Sequence, residues 1–244
     1  MENPGWRGWL TALGTLFHPP HCAGCDQPTG AGEYLCKSCL DTAKKSQLRS
    51  PFCATCSEPF DGALSGPFQC PHCVERRFRF STAIASYRSR GLIRDLIHAF
   101  KYNGRFELRH PLAAWMAMGL SDPRFVRSRP DALVPVPLHA RRKRERGFNQ
   151  AQVLADMVGA HASLPVKNLL RRIRYTTTQT NYDRRQRIEN LRGAFALVED
   201  AEVKDLDLVL VDDVFTTGST ADECALILRS AGAANVRVLT IARA

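Results

Sequence analysis

Leu208-Val209-Leu210-Val211-Asp212-Asp213-Val214-Phe215-Thr216-Thr217-Gly218-Ser219-Thr220 reads as a strand, a turn and the start of a helix. Four apolar residues without alternation predict a strand buried on both faces. Two carboxylates follow where that strand should emerge. A hydroxyl- and glycine-rich turn then opens a periodic run from Ala221 to Ala231, with Leu226, Ile227 and Ala231 on one stripe and Gly232 as its stop. In a parallel sheet, Asp212 and Asp213 would lie at the carboxyl edge, where open α/β folds bind ligands. The amides from Thr216 to Thr220 would lie at a helix start, where partial positive charge and unpaired N–H groups favour a phosphate. Together these groups suit a ligand with a vicinal diol and a phosphate. Helix capping alone would need one Asp and leaves the turn unexplained.

Upstream, Ala132-Leu133-Val134-Pro135-Val136-Pro137 predicts a second strand, at an edge or ending there, because proline cannot donate to a ladder. Thr82–Tyr87, Ala194–Val198 and Val236–Ile241 complete an open, mostly parallel sheet. Between them, Leu92, Leu96, Ile97 and Phe100 mark one helix, closed by Lys101-Tyr102-Asn103-Gly104, with Lys101 suited to its carboxyl end. A second helix is expected from about Leu112 to Leu120, and a third through Ala151, Leu154, Ala155 and Val158.

Eight of the nine cysteines precede residue 74, as Cys22/Cys25, Cys36/Cys39, Cys53/Cys56 and Cys70/Cys73. Each Cys-x-x-Cys places two thiolates on one tetrahedral ion, so the segment reads as a tandem repeat holding two structural Zn²⁺. Sequential pairing uses Cys22, Cys25, Cys36 and Cys39, then Cys53, Cys56, Cys70 and Cys73; a cross-braced arrangement satisfies the spacing equally. Gly30, Gly32, Gly62 and Gly66 would turn short hairpins between the pairs. His21 and His72 adjoin the cysteines, but eight thiolates already fill two sites. Cys224 falls on the apolar helix after the turn and reads as a small buried side chain.

With 34 basic and 24 acidic residues the formal charge is +10, and it is unevenly spread. Residues 127–192 hold fifteen Arg or Lys against five Asp or Glu, so this third carries the entire surplus. An anionic partner docking there, phosphate ligands and a solvated basic face all fit. The loop from Pro137 to Arg146 is its densest part. Trp6, Trp9, Leu10, Leu13 and Phe17 form one side of a short helix that is expected to pack on its own protein. No stretch has the length of a membrane span or the pattern of a signal peptide, so a cytoplasmic protein is expected.

The stretch from Leu208 to Thr220 resembles the signature of type I phosphoribosyltransferases, which bind 5-phosphoribosyl 1-pyrophosphate (PRPP). Together, the four Cys-x-x-Cys pairs, Lys101-Tyr102-Asn103-Gly104, Pro135-Val136-Pro137-Leu138, Arg146-Gly147-Phe148-Asn149-Gln150 and that signature, in this order, resemble the ComF family of competence proteins. The similarity spans about Cys22 to Ala242. It implies a double zinc ribbon over 21–78 and a phosphoribosyltransferase-like α/β domain over 79–244, preceded by the short amphipathic helix that the residues themselves suggest over 1–20.

The resemblance implies that Asp212 and Asp213 take the ribose and serve as catalytic acids, while Thr216, Thr217, Gly218, Ser219 and Thr220 take the 5-phosphate. Arg141, Arg142 and Arg146 would meet the pyrophosphate, with Mg²⁺ entering alongside PRPP. The stretch from Leu169 to Phe195 would contain a loop closing over the site. Natural transformation points to single-stranded DNA and to proteins of the competence machinery as partners. Lys143, Arg144, Phe148, Arg171, Arg172, Arg174 and Tyr175 offer cations and aromatic rings for such a strand, and Tyr182 lies in the same region. Two other functions stay open: a metabolic phosphoribosyltransferase with a small nitrogenous acceptor, and a non-catalytic scaffold of the same fold.

Overall fold

The computed structural model describes residues 20–244 except 63, 65, 127 and 177–188. The expected amino-terminal helix, Tyr182 and the middle of the expected closing loop lie outside the described residues.

Two cysteine-rich ribbons come first. Each begins with a knuckle bridged antiparallel across its own turn, His21 to Pro28 and Phe52 to Pro59. The bridges thus close around the cysteine turns and not around the glycines expected to make hairpins. Each ribbon's second cysteine pair opens a helix, α1 (Lys37–Lys45) after Cys36 and α2 (Pro71–Glu75) after Cys70.

The α/β part follows. It begins with β1 (Thr82–Arg88), α3 (Gly91–Tyr102), α4 (Arg109–Ala117), the single turn α5 (Pro123–Val126) and the short strand β2 (Ala132–Pro135). Next come α6 (Ala140–Arg146), α7 (Gln150–Ala162), β3 (Leu170–Arg172) and β4 (Phe195–Leu197). The chain ends with β5 (Asp207–Phe215), α8 (Ser219–Ser230) and β6 (Asn235–Arg243). Four strands form a wholly parallel sheet in the order β1-β6-β5-β2. The expected strand at Ala194–Val198 does not join it: β4 pairs antiparallel with β3 in a separate two-stranded ribbon.

β2 is an edge strand of this sheet, as its prolines require. The Leu133 amide donates outward to Pro165, whereas the Val136 amide donates inward to Val211. Pro135 and Pro137 have the parity of Leu133, so neither removes a donor from the ladder to β5. β2 stops opposite Val211, and β5 runs on to Phe215 with β6 as its partner. Asp212 and Asp213 are therefore still in the strand, on the part that projects beyond β2.

Alternate residues of β5 feed two cores. Val209 and Val211 join Ile84, Leu239 and Ile241 under α3, α4 and α7, with Ile93, Leu96, Phe100, Met116 and Leu154. Leu208 and Leu210 join Val134, Val236 and Val238 under α8 and the β3–β4 pair. Cys22 and Cys39 pack into the first core, and all four cysteines of the second ribbon into the other.

Two sequence expectations change. The stretch from Pro137 to Arg146 is not a loop: α6 occupies most of it, with His139 Nδ1 accepting from the Arg141 amide and Gly147 closing it at a φ of 84°. The buried stripe of α8 is Ala221, Cys224, Ala225 and Leu228, with Leu226 38% exposed and Ile227 only partly buried. The helix starts at Ser219, and its buried stripe combines three small residues with Leu228. Leu228→Ala should lower the unfolding free energy by about 2–5 kcal/mol and Leu226→Ala by less than about 1 kcal/mol. Urea unfolding of zinc-loaded protein measures both, and equal losses would overturn this stripe.

Candidate functional site

The turn after β5 needs glycine at 218. Gly218 has a φ of 75°, and a Cβ there would fall 2.6 Å from the Phe215 ring and 3.0 Å from that of Phe78. No side chain caps α8, so its first amides have no partner within the helix. Thr217 and Ser219 share a hydroxyl contact of 2.9 Å that shapes the turn. Thr216, Thr217 and Thr220 line a cavity of about 370 Å³. Gly218 supplies backbone only, and the Ser219 side chain is buried.

Asp212 and Asp213 line the same cavity. Asp213 accepts from Lys101 Nζ at 2.7 Å, and both side chains are largely buried. Asp212 Oδ1 accepts from the Asp213 amide at 2.9 Å. Burial, then the neighbouring Asp213 charge, raises the Asp212 carboxyl to about 7, against the opposing pull of Lys101 and Arg172. Burial disfavours the Lys101 ammonium, but Asp213 outweighs it and the net shift is upward. Lys101 thus acts across the cavity and is more than a helix-end cation; its place directly before the Tyr102-Asn103-Gly104 stop was the available sequence signal.

α6 and α7 form another wall. Arg142 and Arg146, one turn apart, both line the cavity. Arg146 reaches Gln150 Oε1 and lies 4.6 Å from the Tyr102 ring centre. Arg142 donates to Thr176 O at 3.0 Å. Arg141, expected beside them, does not line the cavity: it pairs with Glu145 at 3.0 Å and lies 5.0 Å from the Tyr175 ring centre. Asn149 caps α7 by accepting from the Ala151 amide while its side-chain amide donates to Val136 O, which fixes this wall to β2.

Of the residues grouped for a nucleic acid, Lys143, Phe148, Arg171 and Arg172 line one open groove, while Arg144, Arg174 and Tyr175 do not line it. Arg172 lines the cavity, touching Thr176 Oγ1 and lying 5.2 Å from the Phe195 ring centre. Burial and then Arg142 lower its pKa. Phe148 is partly buried, packed between Phe100 and Phe106 with ring centres 5.1 and 5.0 Å away. Lys143 and Arg144 are exposed on α6. Tyr175 is exposed beside His139 and Arg141. Arg171 and Arg174 bond to the carbonyls of Leu197 and Arg192.

The cysteine pairing is sequential: within each group of four, the sulfurs lie within 4.8 Å of one another. Cys25 to Cys36 and Cys56 to Cys70 are both 3.6 Å apart, close to the roughly 3.8 Å edge of a tetrahedron with Zn–S bonds of about 2.3 Å. Amides of Gly24 and Cys36 point at Cys22 Sγ, and that of Cys70 at Cys53 Sγ. An all-sulfur donor set with amides directed at it fits a structural zinc ion. The second group is wholly buried, whereas Cys25 of the first is exposed. His72 is not a ligand of either group; its Nε2 lies 3.4 Å from Thr217 O. Cys224 is buried, as expected.

A ribbon pair with two four-cysteine groups, joined to a parallel α/β sheet, defines the class of this protein. Residues 13–75 match the double zinc ribbon domain family. The chain is 32% identical over 234 residues to the DNA utilization protein YhgH of Salmonella typhi, covering 93% of this chain and 99% of that protein. It is 29% identical over 233 residues to Competence protein F of Haemophilus influenzae, covering 93% and 97%. It belongs to the ComF family of competence proteins. A solved orotate phosphoribosyltransferase from Aeropyrum pernix aligns with a TM-score of 0.36 and 16% identity, covering 58% of this chain and 75% of that one. Among the described residues, no helix is long and apolar enough to cross a membrane.

Two outcomes follow from this geometry. Metal analysis should find two zinc ions per chain, and Cys22→Ser and Cys53→Ser should each lose about one; retention of both ions would overturn the ligand sets. Carbon-detected NMR should place the Asp212 titration near 7. Lys101→Met should move it higher, because removing a nearby cation disfavours the carboxylate. A midpoint near the ordinary aspartate range would contradict the buried acid pair.

Proposed function

We propose that the parallel sheet is a type I phosphoribosyltransferase-like core that binds PRPP in the cavity at the end of β5, in a protein that handles single-stranded DNA. The observation that carries the first half is the shared cavity: Asp212, Asp213, Thr216, Thr217, Thr220, Arg142 and Arg146 all border it. Asp212 and Asp213 would accept the ribose hydroxyls, and the turn amides would hold the 5-phosphate. Arg142 and Arg146 would receive the pyrophosphate, with Arg141 holding Tyr175 beside them. Mg²⁺, arriving with PRPP, would neutralise part of the pyrophosphate charge.

The DNA half is supported by the exposed Lys143 and Arg144 on α6, by the basic third as a whole, and by relatives described as DNA utilization and competence proteins. Reduced thiolates in two zinc sites suit a cytoplasmic location. Contact with other competence proteins would follow from that role.

A transferase reading has its own support. A carboxyl raised to about 7 is matched to proton transfer near neutrality. The C1–oxygen bond of PRPP would break with its electron pair leaving on pyrophosphate, a nitrogen of the acceptor would bond to C1, and Asp212 would take that nitrogen's proton.

Isothermal calorimetry with Mg²⁺ tests the proposal on zinc-loaded protein, with and without a short single-stranded oligonucleotide. PRPP should bind, and Asp212→Ala with Asp213→Ala should abolish that binding while zinc content stays unchanged. Undiminished PRPP affinity in the double variant would sink the site. Oligonucleotide binding should weaken as salt rises, and Lys143→Glu with Arg144→Glu should reduce it.

A further inference from the structure

The phosphate turn is held from behind by the second ribbon, across some 145 positions of sequence. His72, between two cysteines of that ribbon, reaches Thr217 O at 3.4 Å. Its ring meets Phe78 edge-on at 5.5 Å, Phe78 stacks on Phe80 at 4.6 Å, and Phe80 meets Phe215 edge-on at 5.8 Å. Phe78 also closes the space where a side chain at Gly218 would stand.

Below the turn, Asp222 is 6% exposed in the first turn of α8. Its Oδ2 accepts from Arg76 at 2.8 Å, with Arg79 Nη1 at 3.6 Å, and its Oδ1 accepts from the Arg79 amide at 2.7 Å. A carboxylate here would repel an anion at the same helix end, so its pairing with Arg76 and Arg79 matters to the turn as well as to packing. The turn's own side-chain contacts are the Thr217 and Ser219 hydroxyls at 2.9 Å and the Ser219 amide donating to Thr217 Oγ1 at 3.4 Å, and Gly218 at the N-cap adds none. The first ribbon takes no part in this contact: Cys22 and Cys39 pack on the other face of the sheet, with Gly24 against Leu92.

We propose that residues 72–80 brace the phosphate turn, with Asp222 as the joint and Arg76, Arg79, His72 and Phe78 as positioning residues. The state of the second zinc cluster, and not of the first, then sets the order of the turn and its affinity for a phosphate. The affinity part rests on the ligand reading above; the ordering part does not.

Two readouts on the zinc-loaded full chain separate them: ligand-free hydrogen exchange at the amides of 216–220, and calorimetric affinity for ribose 5-phosphate. Asp222→Asn and Arg76→Met should each speed exchange there by about tenfold or more and weaken ribose 5-phosphate binding by a similar factor. Zinc content should not change. Arg76→Lys, which keeps the charge, should recover most of both effects. Cys73→Ser should loosen the turn and Cys25→Ser should leave it as it is. Unchanged exchange in both Asp222→Asn and Arg76→Met, or an equal response to Cys25→Ser, would overturn the brace. If the unaltered protein takes up no ribose 5-phosphate, the ligand reading fails, and exchange alone decides the brace.

Discussion

The cavity depends on one ion pair. Two adjacent carboxylates at the end of a strand enclosed on both faces repel each other and lose solvation together. Lys101 relieves this by meeting Asp213 at 2.7 Å. Removing one partner of such a pair costs about 3–5 kcal/mol, because the other charge is left buried and alone. The pair also divides the labour of the acids. Asp213 is bound to the cation, whereas Asp212 is held near 7 and sits at the boundary of its two protonation states. Lys101 closes α3, so the packing of Phe100, Leu96 and Ile93 against the sheet fixes where this cation stands. Asn103 and Gly104 then turn the chain away before another helical turn can cross the cavity.

Much of this was legible in the chain because it is local. An apolar run without alternation, then two acids, then a glycine-centred turn can only be a buried strand meeting a helix, and Asp212, Asp213 and the 216–220 turn fell where that reading put them. Four Cys-x-x-Cys pairs were equally plain, although only folding chose sequential over cross-braced pairing. What escaped depends on distant packing. α6 was hidden because five basic residues in six look like a solvated loop, yet His139 and Gly147 cap it at both ends. Phe148 stands among cations in sequence, while in space it packs on Phe100 and Phe106. Arg172 looked like a surface arginine until β3 paired with β4 and turned it to the cavity. The α8 stripe was misplaced because large apolar residues drew the reading, whereas the face the helix buries carries Ala221, Cys224, Ala225 and Leu228.

The two ribbons differ in more than order. A segment of this size has little apolar surface to bury, so zinc supplies much of what holds each one together. The ribbons are nevertheless not independent beads, because each adds its cysteines to the core of a different face of the sheet. Arg124, from the α/β part, donates to the carbonyls of Cys53 and Ala54 and to Ser57 Oγ, and lies 4.4 Å from the Phe52 ring centre. That clasp fixes the second knuckle to the body of the protein, and its far end, residues 72–80, reaches the turn.

The charges bordering the cavity indicate what kind of ligand suits it. Among the described residues, Lys101, Arg142, Arg146 and Arg172 line the cavity with Asp212 and Asp213, four cations with two acids. Lys101 pairs with Asp213, and Arg142, Arg146 and Arg172 line the same cavity as Asp212. Burial and the nearness of Arg142 lower the Arg172 pKa, and a nearby anion would offset both. A neutral sugar would add no charge to offset that pressure, whereas an anion beside Arg142, Arg146 and Arg172 would. A molecule with hydroxyls for the acids and anionic groups at both ends meets every wall at once.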